Sequence, residues 1–254
     1  MTVRNKVVVF GSLNMDLVVR VPRMPRSGET LSAHGFLANP GGKGANQAVA
    51  CARQGGKVVM VGRVGDDAFG AQLRTAVVAQ GVNAAGVATT PGVSTGVAMI
   101  MVDDAAQNCI AVVPGANASV SVEDAEVMSE WLADAGLLLL QLEVPMASVL
   151  RAAAVARDAG CAVLLNPAPA HALPAALWPL LDILVLNETE AQLLSGLSVV
   201  DVRNAVDAAA LLRRRGARDV IVTLGEQGVV WACAAGTRHF EARKVQAVDT
   251  TAAG

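Results

Sequence analysis

Six stretches of the chain are almost unbroken in apolar residues: KVVVFG (6–11), KVVMVG (57–62), GLLLLQLE (136–143), CAVLLN (161–166), DILVLN (182–187) and DVIVTLG (219–225). Each is strand-sized and bounded by polar residues or glycine, the pattern of a strand covered on both faces. Between them, Lys43–Arg53, Ala68–Gln80, Met146–Asp158 and Val202–Arg214 combine apolar stripes with charged flanks and predict helices. The third of these follows Pro145 and stops near Gly160, consistent start and stop signals. Strands alternating with helices predict an α/β fold, a mostly parallel central sheet flanked by helices and joined by right-handed crossovers.

Two regions, Leu13–Asn39 and Val93–Pro114, break that rhythm. They are rich in valine, threonine, glycine and proline, and MDLVVRVPRMP, STGVAMIMVDD and NCIAVVPG alternate in a way that predicts antiparallel strands with one solvated face. The DDAAQN between the last two fits a hairpin turn. These segments, 13–39 and 93–114, read as a small β-rich lid inserted into a single α/β domain spanning residues 1–254. Edge strands continuing the main sheet are the alternative.

Composition narrows the function. The chain has 254 residues, is 53% hydrophobic and carries a net charge of -2 with no basic block. That balance argues against a nucleic-acid footprint, and 3% aromatic residues without tyrosine argue against a base-stacking platform. No apolar run approaches the ~18 residues of a membrane span. The cysteines at 51, 109, 161 and 233 form no CxxC pair, and the three histidines are scattered, so neither a disulfide framework nor a zinc site is expected. The opening MTVRNKVVVFGS enters a strand without the apolar core of a secretory signal. The cytoplasm is the expected compartment.

The chemistry gathers at the predicted strand ends, where open parallel sheets bind ligands. The first strand runs into Gly11, Asn14 and Asp16, the third into Glu143, the fourth into Asn166, and the fifth into Asn187-Glu188-Thr189-Glu190. The sixth leads to Thr223, Gly225 and Gly228. One such residue is ordinarily a helix cap; five strands with polar ends on one sheet edge predict a binding cleft. PGGKGANQA (40–48) places three glycines around Lys43 just before a helix, where backbone can approach a ligand closely. It is not a Walker A loop, since Leu37 stands where the first glycine would be and Gly44 follows the lysine. A glycine-rich loop packed under a helix would look the same. Joined by Asn14, Asp16, Asn46 and Glu143, however, it offers two carboxylates, two amides and an ammonium, a set suited to a polyol. At the far end AVDTTAAG (247–254) predicts a strand turning sharply into a helix, whose free N–H groups form an anion site.

GSLNMDLV, PGGKGANQA, GRVGDDAFG (62–70), QLEVP (141–145), NETE (187–190), TLGEQG (223–228) and AVDTTAAG follow one another in an order that resembles the PfkB carbohydrate kinases over the whole chain. The resemblance implies ATP-dependent phosphorylation of a sugar, and its wording favours D-ribose, giving D-ribose 5-phosphate. A kinase of another sugar or a nucleoside, or a sugar-binding fragment without catalysis, are the alternatives. It assigns Asn14, Asp16, Gly42, Lys43, Asn46 and Glu143 to the sugar. Asn187 and Glu190 would organise Mg²⁺ and the phosphates, Glu190 through water, and Thr223, Gly225 and Gly228 would line the ATP. Asp249 and Thr251 would hold an activating K⁺, and Ala252, Ala253 and Gly254 would form the anion hole for the transferring phosphoryl. The family's catalytic aspartate follows that glycine, so the resemblance implies a C-terminally incomplete, inactive chain. It also implies a homodimer formed through the lid.

Overall fold

The computed structural model describes residues 5–244. In chain order it begins with β1 (Lys6–Phe10), β2 (Asn14–Val21), β3 (Gly35–Gly41), α1 (Lys43–Arg53), β4 (Lys57–Gly65) and α2 (Ala68–Ala79). There follow β5 (Val82–Thr90), β6 (Gly96–Asp103), β7 (Asn108–Val113), α3 (Val122–Val127), α4 (Ser129–Leu132) and β8 (Ala135–Leu140). The remainder comprises α5 (Met146–Asp158), β9 (Ala162–Leu165), β10 (Ile183–Leu186), α6 (Glu188–Ser195), α7 (Val202–Arg214), β11 (Asp219–Thr223), β12 (Val229–Cys233) and β13 (Gly236–Phe240).

Nine strands form the main sheet, in the order β13-β12-β11-β10-β9-β8-β1-β4-β5. From β11 to β5 every pairing is parallel, and only the β11-β12-β13 end is antiparallel. The apolar runs are continuous because both faces are covered. Val8 and Phe10 of β1 belong to the core under α3, α5 and α7, whereas Val9 belongs to a second core with Ala45 and Ala48 of α1 and Leu73 and Val77 of α2. Ala-rich helix faces (Ala152, Ala153 and Ala156; Ala205, Ala208 and Ala209) bring α5 and α7 close to the sheet. No helix among the described residues is long and apolar enough to cross a membrane.

A separate four-stranded sheet, β3-β2-β6-β7, stands above the carboxyl edge of β1. Antiparallel pairing holds for β2 with β3 and for β6 with β7, across the DDAAQN turn, where Ala106 adopts φ 59°. The β2–β6 pairing is parallel, contrary to the all-antiparallel expectation. The reason is topological: β2 continues upward from β1 and β6 from β5, and β1 and β5 run in the same direction. Asp67 fastens the base of β6, its carboxylate accepting from Thr95 N at 2.8 Å and Thr95 Oγ at 2.6 Å, while Thr95 Oγ accepts from Gly65 N at 3.0 Å. Leu13 and Met15 root β2 in the second core.

The third apolar run ends its ladder earlier than expected, at Leu140. Beyond it Leu142 N donates to Ala168 O at 2.9 Å, so the chain bends away and Glu143 occupies a turn rather than a strand end.

Candidate functional site

Where the two sheets meet, a cleft of about 850 Å³ is lined by Asn14, Asp16, Gly42, Lys43, Asn46 and Glu143 together. Residues distant in the chain meet there because of three local devices. Only Gly42 separates β3 from α1, and both its φ of 92° and the 2.6 Å at which a Cβ would meet Asn14 N call for glycine there. A Cβ on Gly41 would collide with the Asp16 carboxylate, so that side chain lies directly against the bare backbone of β3. The helix start at Lys43 then faces the turn after β8: Lys43 N donates to Glu143 Oε2 at 3.0 Å. The apolar wall opposite comes from Ala98, Ile100 and Val102 of β6 and Ile110 and Val112 of β7.

Two residues that the sequence reading did not single out hold this cluster in order. Ser12 Oγ donates to Glu143 Oε2 at 2.5 Å and accepts from Gly44 N at 3.2 Å. Asn117, 1% exposed, accepts from Leu13 N at 2.9 Å and donates through Nδ2 to Leu13 O at 3.0 Å and Asn14 Oδ1 at 2.7 Å. With its oxygen engaged, Asn14 must present its NH₂, which reaches Glu143 Oε2 at 3.5 Å. Ser12 lies inside the GSLNMD motif and could have been noticed there. Asn117 lies in a one-turn 3₁₀ segment, Gly115–Ser119, with no periodic signal to mark it.

Charge is concentrated in this cleft. Burial pushes the Asp16 carboxyl up to about 6, the nearby Glu143 charge adds to the rise, and Lys43 offsets part of it. A carboxyl perturbed by burial and a like charge inside a cleft marks a candidate functional site.

A second cluster lies farther along the same sheet edge and does not line the cleft. Asn187 and Glu190 close a capping box on α6: Glu190 N donates to Asn187 Oδ1 at 2.8 Å, and Asn187 N donates to Glu190 Oε2 at 3.0 Å. Thr223 ends β11 and donates from Oγ1 to Leu186 O at 3.2 Å. Gly225 (φ 52°) and Gly228 (φ 92°) bound the tight turn into β12; a Cβ on Gly228 would strike Phe240 O of β13. No group of three or more metal-ligating side chains occurs among the described residues. Asp249, Thr251, Ala252, Ala253 and Gly254 lie outside the described residues.

The arrangement of a polyol-suited cleft beside a capped, glycine-lined sheet edge has close parallels. A model of the pfkB family of carbohydrate kinases matches residues 4–254. The chain belongs to this family. It is therefore a carbohydrate kinase, transferring phosphate to an alcohol group. A ribokinase of Haemophilus influenzae is 39% identical over 251 residues, covering 99% of this chain and 82% of its own length. A deoxyribokinase of Salmonella typhi is 40% identical over 249 residues, covering 98% of this chain and 81% of its own. The structure of an Arabidopsis thaliana ribokinase complexed with ribose and ATP superposes with a TM-score of 0.88 at 33% identity, covering 96% of this chain and 80% of that one. The ribokinase-like α/β architecture expected from the sequence is thus the observed one.

Proposed function

We propose that the chain is a ribokinase, phosphorylating the primary hydroxyl of D-ribose with ATP. One observation carries the reading: Asp16 and Glu143 converge with Asn14, Asn46 and Lys43 on a single cleft. Each carboxylate can accept from neighbouring sugar hydroxyls, and the amides and ammonium donate to the remaining oxygens. Ser12 and the Lys43 backbone N–H occupy one oxygen of Glu143, which leaves the other for the ligand. The small sheet acts as a lid whose apolar wall excludes water from the reacting hydroxyl. Ribokinase relatives at similar identity, one of them solved with ribose and ATP, support both substrates.

The nucleotide lies along the second cluster, with Thr223, Gly225 and Gly228 at its edge and its phosphates toward α6. Bound Mg²⁺ would offset charge on the transferring phosphoryl. The residues present fit an ion held mainly by phosphate and water, as Mg²⁺ prefers. Glu190 is a single buried carboxylate with spare acceptor capacity, not one member of a protein cage. Asp249 and Thr251 are assigned to K⁺, and Ala252–Gly254 to the anion hole, on the family resemblance. The cytoplasm is the compartment this substrate pair suits.

The deoxyribokinase relative makes the 2-position the decisive question. Calorimetric titration of the protein with D-ribose and 2-deoxy-D-ribose should give the tighter binding to ribose. A missing charge-assisted hydrogen bond to the 2-hydroxyl costs about 1.5–3 kcal/mol, roughly tenfold or more in affinity. Equal or tighter binding of the deoxy sugar would overturn the ribose assignment while leaving the family intact.

A further inference from the structure

A chain of side-chain amides runs from Gln141 and α1, the helix that carries Lys43 and Asn46, to the second cluster. Gln141 Nε2 donates to Gln47 Oε1 at 2.6 Å, and Gln47 Nε2 donates to Asn166 Oδ1 at 3.3 Å. Asn166 Nδ2 then donates to Val185 O at 3.1 Å and to Glu190 Oε2 at 3.5 Å. The chain has a fixed direction. Val185 O and the Glu190 carboxylate are acceptors only, so Asn166 must aim its NH₂ at them and its oxygen at Gln47. Gln47 must then donate to Asn166 and accept from Gln141. Gln141, fully buried, is left with Oε1 lacking any hydrogen-bond partner. That oxygen fills the space beside Gly11 Cα, where any Cβ would collide with it.

Nothing in packing requires this arrangement. An unpaired buried acceptor is costly, and apolar side chains of similar size would fill the space without that cost. What the amides supply is direction. At one end Gln47 belongs to α1, the residue after Asn46 and one turn beyond Lys43. The start of α1 is bonded to the first cluster through Lys43 N with Glu143, and through Gly44 N and Ala45 N with Ser12. At the other end Glu190 is locked to Asn187 through both its oxygens, Oε2 from Asn187 N and Oε1 from Asn187 Nδ2 at 3.2 Å. A shift of α1 on ligand binding therefore has a polar connection to the carboxylate at the α6 N-terminus.

We infer that Gln47 and Asn166 are positioning residues that couple sugar binding in the cleft to nucleotide binding at Asn187 and Glu190. The inference rests on the proposed assignment of the two clusters to sugar and nucleotide. It predicts that each ligand raises affinity for the other, reciprocally, and that the enhancement passes through Gln47.

The test is calorimetric titration of D-ribose into the 254-residue protein, with and without saturating MgADP. MgADP should tighten ribose binding by about fivefold or more, the lower range of coupling between two sites. Gln47→Met, which keeps side-chain length and removes both hydrogen bonds, should cut that enhancement by about threefold or more. Gln47→Glu keeps the bond from Gln141 but replaces the donor toward Asn166 with a charged carboxylate oxygen, and should cut the enhancement at least as much. Ser148→Ala removes a buried hydrogen bond to Val120 O elsewhere in the molecule. It should lower the melting temperature without altering the enhancement, which separates coupling from stability. A wild-type protein that binds ribose without enhancement overturns the inference, as does an enhancement that survives in both Gln47 variants. A wild-type protein that binds no ribose overturns the functional proposal, and this inference with it.

Discussion

Asp16 illustrates how one residue can weaken the fold while equipping the site. Its carboxyl is raised from 3.8 to about 6 by burial first and by Glu143 second. The folded protein therefore holds its proton more tightly than the unfolded chain does. The stability Asp16 contributes is fully present below about pH 3.8 and is lost as pH rises through about 6. Asp16→Asn removes the charge that is poorly accommodated at neutral pH. The variant should be more stable than wild type at pH 7.5 by about 1 kcal/mol, because solvent screens this half-buried group and reduces the full worth of the shift. Near pH 4 the two should unfold alike in urea. Ribose binding should respond in the opposite sense. It should weaken in Asp16→Asn by about 1.5–3 kcal/mol, and in wild type it should weaken as pH falls through about 6. Wild-type ribose affinity that stays flat between pH 5 and 8 would remove Asp16 from the sugar contact.

At the scale of elements, the small sheet is notable for what it leaves uncovered. Its cleft-side face carries Leu37, Ile110 and Val112, and its opposite face Phe36, Met99 and Val113, all about half exposed or more. Apolar side chains grouped on one such element commonly mark an association surface. They support pairing of two copies through this sheet. Sedimentation equilibrium should give a homodimer at micromolar concentration. Val112→Glu tests the cleft-side face and Met99→Glu the opposite one, and one of them should yield a 25.9 kDa monomer. A wild-type monomer, or a dimer indifferent to both substitutions, would exclude this surface. The same sheet shows where pattern reading works. Alternation revealed β2, β6 and β7 because their side chains face two different environments. β5 (VNAAGVATT) has neither an apolar run nor clean alternation, because small residues suffice on an edge strand packed beside α2. The β12–β13 hairpin turns through Ala234 and Ala235, which carry none of the Asn-Gly chemistry that announces such a turn.

For the molecule as a whole, six of the nine strands of the main sheet, β1, β4, β8, β9, β10 and β11, were legible because burial on both faces writes itself into the sequence as unbroken apolar runs. Of the six residues assigned to the sugar, Asn14, Asp16, Lys43, Asn46 and Glu143 were found through their chemistry and Gly42 through the family resemblance, and the cleft does bring them together. Their supports were not legible. Ser12, Asn117 and Gln47 act through partners far away in the chain, such as Asn117 on Leu13 and Gln47 on Asn166, and no local period encodes a long-range hydrogen bond. The parallel β2–β6 pairing escaped notice for the same reason. It joins two excursions that leave the main sheet separately, with α1, β4, α2 and β5 between them. That pairing has a further consequence for how the molecule breathes. The small sheet is rooted at one end and wet along β7 and most of β3, so it can open as a unit while the nine-stranded sheet stays closed. Amide hydrogens of β2, β3, β6 and β7 should exchange with deuterium well before those of β1, β4 and β8. Ribose held at Asp16 would clamp β2 against β3 and slow exchange there, leaving β11 to β13 unchanged; uniform exchange across both sheets would show that the small sheet does not open independently, and no slowing with ribose would show that the sugar does not clamp it.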